Sequence, residues 1–375
     1  MDDAVRAPAG GGVPDRLPER PPISAPLTPR RERLARQPGL GVAGLALVVP
    51  VACLLAVGAG GAEPSLLVLG PLVTFALPVV AMVAFWWEDW PGTRLRPSRS
   101  GWADTLLIAV AAVVLTGLGQ AVAGGLDPRG IFDPAPGPGH APTFPATLPL
   151  GGAAFVVMLQ LTLVCEGWPL RRLPPVPAGM LALAVSWLAA LGLYAALAEV
   201  RPGAGSGLAP RTGPIPAADL GALLVLIGAW QVWFYVVWRG RPFSRIDDRG
   251  LRLAVANAVV IGGGALTYLL AHEVGGVDPA DIAAAAGAFV AAGLLLGMLF
   301  EDWLQDRLGD LATLGAVVVL AAALALLLWG YAAGRDWTRG SAADWVGHAA
   351  LNAIGVAVIL HVAVGRRWPF PDPAH

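Results

Sequence analysis

Long apolar segments alternate with short polar segments over most of the chain, from about residue 41 to about residue 365. A helix needs roughly 20 apolar residues to cross the hydrocarbon core of a bilayer, and its backbone groups must be satisfied within the segment. The pattern therefore predicts an all-α fold, a polytopic integral membrane bundle of about ten transmembrane helices. The ten segments lie at about 41–61, 65–87, 102–124, 150–167, 179–199, 218–238, 251–272, 281–301, 311–333 and 345–365.

A short polar motif follows every second apolar segment. The first copy, Glu88–Leu95, reads Glu-Asp-Trp-Pro-Gly-Thr-Arg-Leu, and further copies begin at Glu166, Arg239 and Glu301. A truncated copy, Arg-Trp-Pro-Phe, starts at Arg367. Because each copy follows an even-numbered segment, the recurrence predicts five repeated hairpins.

The basic residues set the predicted orientation. All 25 are arginine, and with the N terminus inside, 20 of them lie on the inner side and 5 on the outer side. By the positive-inside rule, both termini are then cytoplasmic, and we expect the protein in the cell membrane. The predicted organisation is a disordered cytoplasmic tail at 1–39, a transmembrane domain at 40–366 and a short cytoplasmic tail at 367–375.

The motif residues are typical of a membrane interface. Tryptophan favours the interface because its ring is apolar and its N–H is polar, proline ends a helix, and arginine can meet acidic headgroups. We therefore predict cytoplasmic anchors, with one alternative: Glu88, Glu166 and Glu301 form with the arginines an ion-pair ring that gates or binds a ligand. The predicted anchors are Trp90, Arg94, Trp168, Arg172, Arg245, Trp303, Arg307 and Trp368.

Composition agrees with a membrane protein. Hydrophobic residues make up 56% of the chain and charged residues 14%, against about 25% charged in soluble domains. The two cysteines, Cys53 and Cys165, lie in or beside apolar segments, so they predict neither a disulfide framework nor a metal site. The outer loops at 125–149 and 200–217 are rich in proline and glycine, and we expect irregular structure there.

Few polar side chains fall inside the predicted helices, where they are costly unless paired. Four amides, Gln120, Gln160, Gln231 and Asn257, are expected to join helices by hydrogen bonds. The last segment is the most polar. His348 and Asn352 are four residues apart and share a helix face, whereas His361 points elsewhere. With Glu301, these three residues of the last segment are the candidate polar site.

One short resemblance bears on this site. The residues His348-Ala-Ala-Leu-Asn352 resemble the last motif, His-x-x-x-Asn, of the intramembrane CAAX-protease and bacteriocin-processing family. That family also carries Glu-Glu-x-x-x-Arg and Phe-x-x-x-His motifs, and this chain has neither. The resemblance covers five of the 375 residues, so we do not assign the chain to this family.

The sequence leaves two functional hypotheses. The first is a non-enzymatic membrane protein, permease-like or a scaffold component, with the lipid bilayer as partner and an unknown small-molecule ligand. The second is an intramembrane enzyme, hydrolase-like, that uses His348, Asn352 and Glu301. No motif predicts a cofactor, a catalytic metal or nucleic-acid binding. Ten helices could also form a five-plus-five inverted repeat, in which Pro71 and Pro78 would correspond to the glycines at 262–264.

Overall fold

A computed structural model describes residues 34–88, 90–203 and 205–370. Within these ranges nine helices are long and apolar enough to cross a membrane, and a tenth apolar helix is shorter. This confirms the predicted all-α membrane bundle. The helices are α1 (Gly39–Val57), α2 (Ala62–Trp86), α3 (Pro97–Ala123), α4 (Leu148–Val164), α5 (Pro175–Leu197), α6 (Ala217–Val237), α7 (Arg249–Val274), α8 (Pro279–Leu299), α9 (Asp310–Ala332) and α10 (Ala342–Val364).

Helix burial alternates along the chain. In the most apolar stretch of each helix, 78% of α2, 67% of α8 and 72% of α10 is buried, but only 17% of α7 and 17% of α9. Large apolar side chains on the odd-numbered helices, such as Leu188, Leu311 and Val319, remain exposed. Since a bilayer would cover such side chains, the odd-numbered helices are the outer, lipid-facing layer. We call the even-numbered helices the inner helices.

The inner helices of the described chain form a closed ring. Contacts run from α2 to α4, then to α6, α8 and α10, and from α10 back to α2. Each outer helix packs mainly on the inner helix that precedes it in the chain, as α3 does on α2 and α9 on α8. Helix α1 has no preceding inner helix and packs on α10 instead. The first and last hairpins therefore meet, and this contact closes the ring.

This arrangement does not follow the inverted five-plus-five symmetry. Helix α2, with Pro71 and Pro78, is an inner helix, whereas α7, with the glycines at 262–264, is an outer one. The α7 glycines serve close packing, because a Cβ added at Gly264 would lie 2.9 Å from the Ile227 Cα on α6. The two interrupted helices therefore occupy different layers.

The connecting segments are more regular than we expected. In 198–216, β1 (Ala198–Val200) pairs antiparallel with β2 (Arg211–Thr212) and parallel with β3 (Ile215–Pro216). The preceding loop contains a one-turn helix, Pro128–Phe132, which begins at a capping Asp127. The expectation of irregular structure for 125–149 and 200–217 was therefore wrong in part. Short strand pairings and a helix cap satisfy backbone N–H and C=O groups of these loops.

The predicted tails lie mostly outside the described residues, which exclude 1–33 and 371–375. At the N-terminal boundary, Gln37 is buried, accepts the Gly41 N–H (3.1 Å) and donates to the Leu299 carbonyl (3.3 Å). At the C-terminal boundary, Arg367 is also buried. The bundle thus extends to residues that we had placed in both tails.

Polar side chains between helices hold α4, α6 and α7 together. Gln160 donates to Asn257 (2.8 Å) and accepts from Gln231 (2.6 Å), which also donates to the Val156 carbonyl (3.0 Å). The predicted interhelical role of these three amides is confirmed. Gln120 instead bonds the loop at 125–149, since it donates to the Ala141 carbonyl (2.5 Å).

We predict that Gly264→Leu lowers the free energy of unfolding by about 1–3 kcal/mol, because a side chain there overpacks the α6–α7 contact. Gly262→Leu is the matched control, since a Cβ at this exposed position meets nothing within 4 Å. The control should be neutral or slightly stabilising. Unfolding in mixed detergent micelles measures both variants, and equal stabilities would contradict the packing of α7 on α6.

Candidate functional site

Each inner helix ends in the same local backbone conformation. The final turn is π-helical, so the N–H of the residue after the helix donates to a carbonyl five positions earlier, as Trp87 does to Met82 (3.0 Å) and Phe300 to Leu295 (3.0 Å). The following residue has a positive φ between 48° and 54°. We call these five residues the motif ring, and their end of the bundle the motif end. They are Glu88, Glu166, Arg239, Glu301 and Arg366.

In the second to fifth copies the next residue is also described, and it extends the turn. Gly167 donates its N–H to the carbonyl six positions earlier (2.8 Å), and Asp302 does the same (3.0 Å). This bond satisfies a carbonyl that the ending helix leaves without an intrahelical partner. These residues have positive φ as well, which glycine adopts without a steric penalty, as at Gly167 and Gly240.

The inner helices surround a partly open chamber of about 2100 Å³. Each inner helix contributes one row of lining residues. The rows occupy equivalent positions when residues are counted back from the motif-ring residue of each helix. Lining residues recur 7, 11 and 18 positions before the motif-ring residue in all five helices. At 11 positions they are Leu77, Phe155, Gly228, Val290 and Gly355.

Small side chains on the inner helices create this space. The α6 row includes Gly221 and Gly228, two helical turns apart, and a Cβ added at either would meet nothing within 4 Å. Close-packed helices fill such positions with neighbouring atoms. The lining over the length of the helices is mainly apolar, with Leu77, Val225 and Leu351 as examples. The chamber is therefore a cavity suited to an apolar molecule.

Charged residues line the motif end of the chamber, and ion pairs join successive copies of the motif. Arg367 pairs with Glu301 (2.8 Å), and only 5% and 10% of these side chains are exposed. Arg239 pairs with Asp302. One arginine of the third copy and one of the fifth thus pair with Asp302 and Glu301 of the fourth.

The second copy is held by contacts with neighbouring helices. Glu166 accepts from Arg252 at the start of α7 (2.9 Å). Arg171 donates to the Phe85 carbonyl (3.1 Å), and its guanidinium lies 5.5 Å from the Trp86 ring centroid. Ion pairs therefore join the third, fourth and fifth copies, and the second copy binds α7 and α2. We call these charged residues of the motif end the belt: Glu166, Arg171, Arg239, Glu301, Asp302 and Arg367.

The predicted polar candidates lie in different places. His348 and Asn352 line the chamber near the seam between α2 and α10. His361 is buried beside α1, where a Cβ at Gly44 would lie 2.9 Å from its Nε2. Glu301 lies at the motif end, which a helical rise of about 1.5 Å per residue puts roughly 25 Å from His348. The structure therefore does not bring together the residues of the enzyme hypothesis.

His348 completes the end of α1. Its Nε2 contacts the Leu55 carbonyl (3.2 Å), and Trp345 donates to the Ala56 carbonyl (2.9 Å). Both carbonyls belong to the last turn of α1, where helical partners are missing. His348 thus satisfies a backbone group that lipid could not.

Asn352 bridges α10 to α2. Its amide nitrogen lies 3.3 Å from the Gly70 carbonyl, 3.1 Å from Thr74 Oγ1 and 3.5 Å from His348 Nδ1. Its amide oxygen is buried and has no hydrogen-bond partner among the described residues. We call Gly70, Thr74, His348 and Asn352 the Asn352 cluster.

The predicted anchors surround the belt. All four motif arginines, Arg94, Arg172, Arg245 and Arg307, are exposed. Trp168 and Trp368 are 43% and 44% exposed, whereas Trp90 and Trp303 are half-buried. Arg94 lies over the Trp90 ring (5.6 Å to the centroid) and Arg307 over the Trp303 ring (4.5 Å). These contacts suit an interfacial role, which stays a prediction.

The belt members Arg239, Asp302 and Arg367 were absent from our candidates. A signal for them was present, because arginine replaces glutamate at Arg239. This replacement supplies the opposite charge that pairs with Asp302 of the next copy. Within the described residues, no group of three or more His, Cys, Asp or Glu side chains could hold a metal ion.

Comparison with protein-family models, with curated proteins and with solved structures finds no match to this chain.

We predict that Arg367→Gln lowers the free energy of unfolding by about 3 kcal/mol, because it removes a buried positive charge that pairs with the Glu301 carboxylate. Replacing both residues, Arg367→Gln with Glu301→Gln, should restore part of the loss. Arg172→Gln is the control and should change stability by less than about 0.5 kcal/mol, since that arginine is exposed. Equal effects of Arg367→Gln and Arg172→Gln would refute the buried pair.

We also predict that His348→Ala lowers stability by about 0.5–2 kcal/mol, through loss of the bond to the α1 carbonyl. His348→Gln should recover most of the loss, because its amide N–H can donate to the Leu55 carbonyl. Unfolding in detergent measures both variants. A glutamine variant no more stable than the alanine variant would contradict the capping role.

Proposed function

We propose that this chain is a permease-like membrane protein whose inner helices hold a small apolar or amphipathic molecule in the chamber during its passage through the bilayer. The observation that carries the proposal is the chamber itself. All five inner helices line it in one register, from the motif end to residues such as Ala217, Pro279 and Ala343 at the opposite end. A scaffold or an anchor protein has no need of such a space.

The size and lining of the chamber favour an elongated lipophilic occupant. Its volume of about 2100 Å³ exceeds the roughly 300–1,000 Å³ of ordinary small-molecule pockets. Apolar cavities hold water poorly, because water needs polar partners. An apolar molecule loses little on leaving lipid for this lining, so it can enter and leave. Transport requires such similar free energies in lipid and in the chamber, because the molecule must both bind and be released.

The charged belt supports a gated cytoplasmic mouth. The arginine distribution supports a cytoplasmic motif end by the positive-inside rule. Ion pairs between copies, such as Arg239 with Asp302, hold the inner helix ends together. A molecule that leaves through this mouth must separate some of these pairs, which provides a defined closed state.

The chamber is tested by filling it. Gly221→Leu and Gly228→Leu add side chains where a Cβ meets nothing within 4 Å, so they should fold normally and reduce the free volume. We expect a diazirine-bearing hydrocarbon probe to label lining residues such as Val225 and Leu351 in the wild type, and to lose most of this labelling in both variants.

Gly262→Leu is the control, because it adds the same side chain on the outer surface of α7. It should leave chamber labelling unchanged, as read by mass spectrometry of labelled peptides. Unchanged labelling of Val225 in the two filled variants would contradict the proposal that apolar molecules occupy the chamber.

The orientation is tested by cysteine labelling in a chain with Cys53→Ala and Cys165→Ala. Ala135→Cys and Ser244→Cys place single thiols at exposed positions on opposite ends of the bundle. We expect a membrane-impermeant maleimide to label position 135 in intact cells, and position 244 only after the membrane is opened. The reverse pattern would place the motif end outside.

A further inference from the structure

The Asn352 cluster puts hydrogen-bonding side chains into an otherwise apolar part of the chamber wall. Asn352 and Thr74 occupy equivalent positions of their helices, 14 residues before the motif ring. The equivalent lining positions of α4 and α6 are Gly152 and Val225. These offer no side-chain hydrogen bond, so a polar group of a bound molecule would be drawn to the α2–α10 seam.

The donors of the cluster are directed into the protein. The Thr74 hydroxyl donates to the Gly70 carbonyl (2.8 Å). The Leu55 carbonyl can only accept, so His348 Nε2 must carry the proton that joins them, and Nδ1 of the neutral ring is then an acceptor. That nitrogen faces the Asn352 amide N–H₂ group at 3.5 Å.

The same reasoning fixes the Asn352 amide. Its nitrogen faces three acceptors: the Gly70 carbonyl, Thr74 Oγ1 and His348 Nδ1. The flipped amide would set its oxygen against the Gly70 carbonyl, which cannot donate. The remaining group is Asn352 Oδ1. It is buried, it has no partner in the described chain, and its residue lines the chamber with only 7% of its surface exposed.

A buried acceptor without a partner is unfavourable by about 1–3 kcal/mol, and a bound donor removes that penalty. The cluster therefore presents an acceptor and no spare donor. We infer that the chamber selects an elongated apolar molecule with a neutral hydroxyl group, which donates its hydrogen bond to Asn352 Oδ1. This inference rests on the proposed function of the chamber.

Charged head groups suit the cluster poorly. A carboxylate or phosphate needs donors, and those of Asn352, Thr74 and His348 are already used. An ammonium group needs a counter-charge at this depth. Asp344 also lines the chamber, but it lies eight residues before Asn352, roughly 12 Å along α10, so it places no counter-charge at the cluster. Neutral hydroxyl compounds remain the favoured class.

The experiment compares probes that differ in one group. The full chain in lipid nanodiscs is exposed to a long-chain alcohol that carries a diazirine, and separately to its methyl ether, which accepts but cannot donate. Matched carboxylic acid and amine probes complete the set. We expect the alcohol to label the α2 and α10 peptides about tenfold more than the ether, as expected for one hydrogen bond to a buried acceptor.

Asn352→Leu should abolish the difference between alcohol and ether, whereas Gly262→Leu should keep it, because that substitution lies on the exposed surface of α7. The wild-type comparison needs no variant, so a poorly folded Asn352→Leu protein does not prevent the test. Equal labelling by alcohol and ether, or stronger labelling by the acid or the amine, would overturn the inference.

The two proposals fail in different ways. Suppose that Gly221→Leu and Gly228→Leu block labelling by all four probes, while alcohol and ether label the wild type equally. Then the proposal that apolar molecules occupy the chamber is supported, and the preference for a hydroxyl group is wrong. If these filled variants leave labelling unchanged, the proposed function itself fails.

Discussion

Closure of the helix ring depends on backbone carbonyl groups at the end of α1 that have no helical partners. In lipid such groups must be satisfied by protein. Helix α10 supplies the donors, through His348 to Leu55 and Trp345 to Ala56. The same two hairpins are also joined at the end opposite the motif end. There the Glu63 carboxylate accepts from the backbone N–H groups of residues 338–340. Without this contact between the first and last hairpins, the ring of inner helices would be open on one side.

The closed ring in turn explains why the copies of the motif differ. Five identical acidic copies would repel one another around a narrow mouth. Arginine at position 239 faces Asp302 of the next copy, and Arg367 faces Glu301 of the preceding one. Two ion pairs, one buried and one partly buried, then hold three copies together. Removing one partner of the buried pair leaves an uncompensated charge. The variation between copies is therefore a requirement of closure.

The sequence predicted the helices and the hairpins well, because helix length in lipid is set by bilayer thickness. It could not separate inner from outer helices. Gly228 lines the chamber and Gly262 lies on the outer surface, yet both are glycines within apolar segments. The sequence also could not predict the ion pair between Glu301 and Arg367. The two residues are 66 positions apart and meet only because α8 and α10 end side by side. The His348 and Asn352 pair was visible from its spacing, but its partners on α1 and α2 were not.

The most direct test of the closed ring is a pair of distances by double electron–electron resonance in the cysteine-free chain. Spin labels at Arg99 and Trp368 report on the first and last hairpins at the motif end, where a Cβ at Gly101 would lie 3.0 Å from the Gly365 Cα. Labels at Arg99 and Arg245 report on the first hairpin and the third copy of the motif. We expect the distance from 99 to 368 to be the shorter one. A longer distance from 99 to 368 than from 99 to 245 is the result for hairpins laid side by side in an open row, and it would contradict the ring.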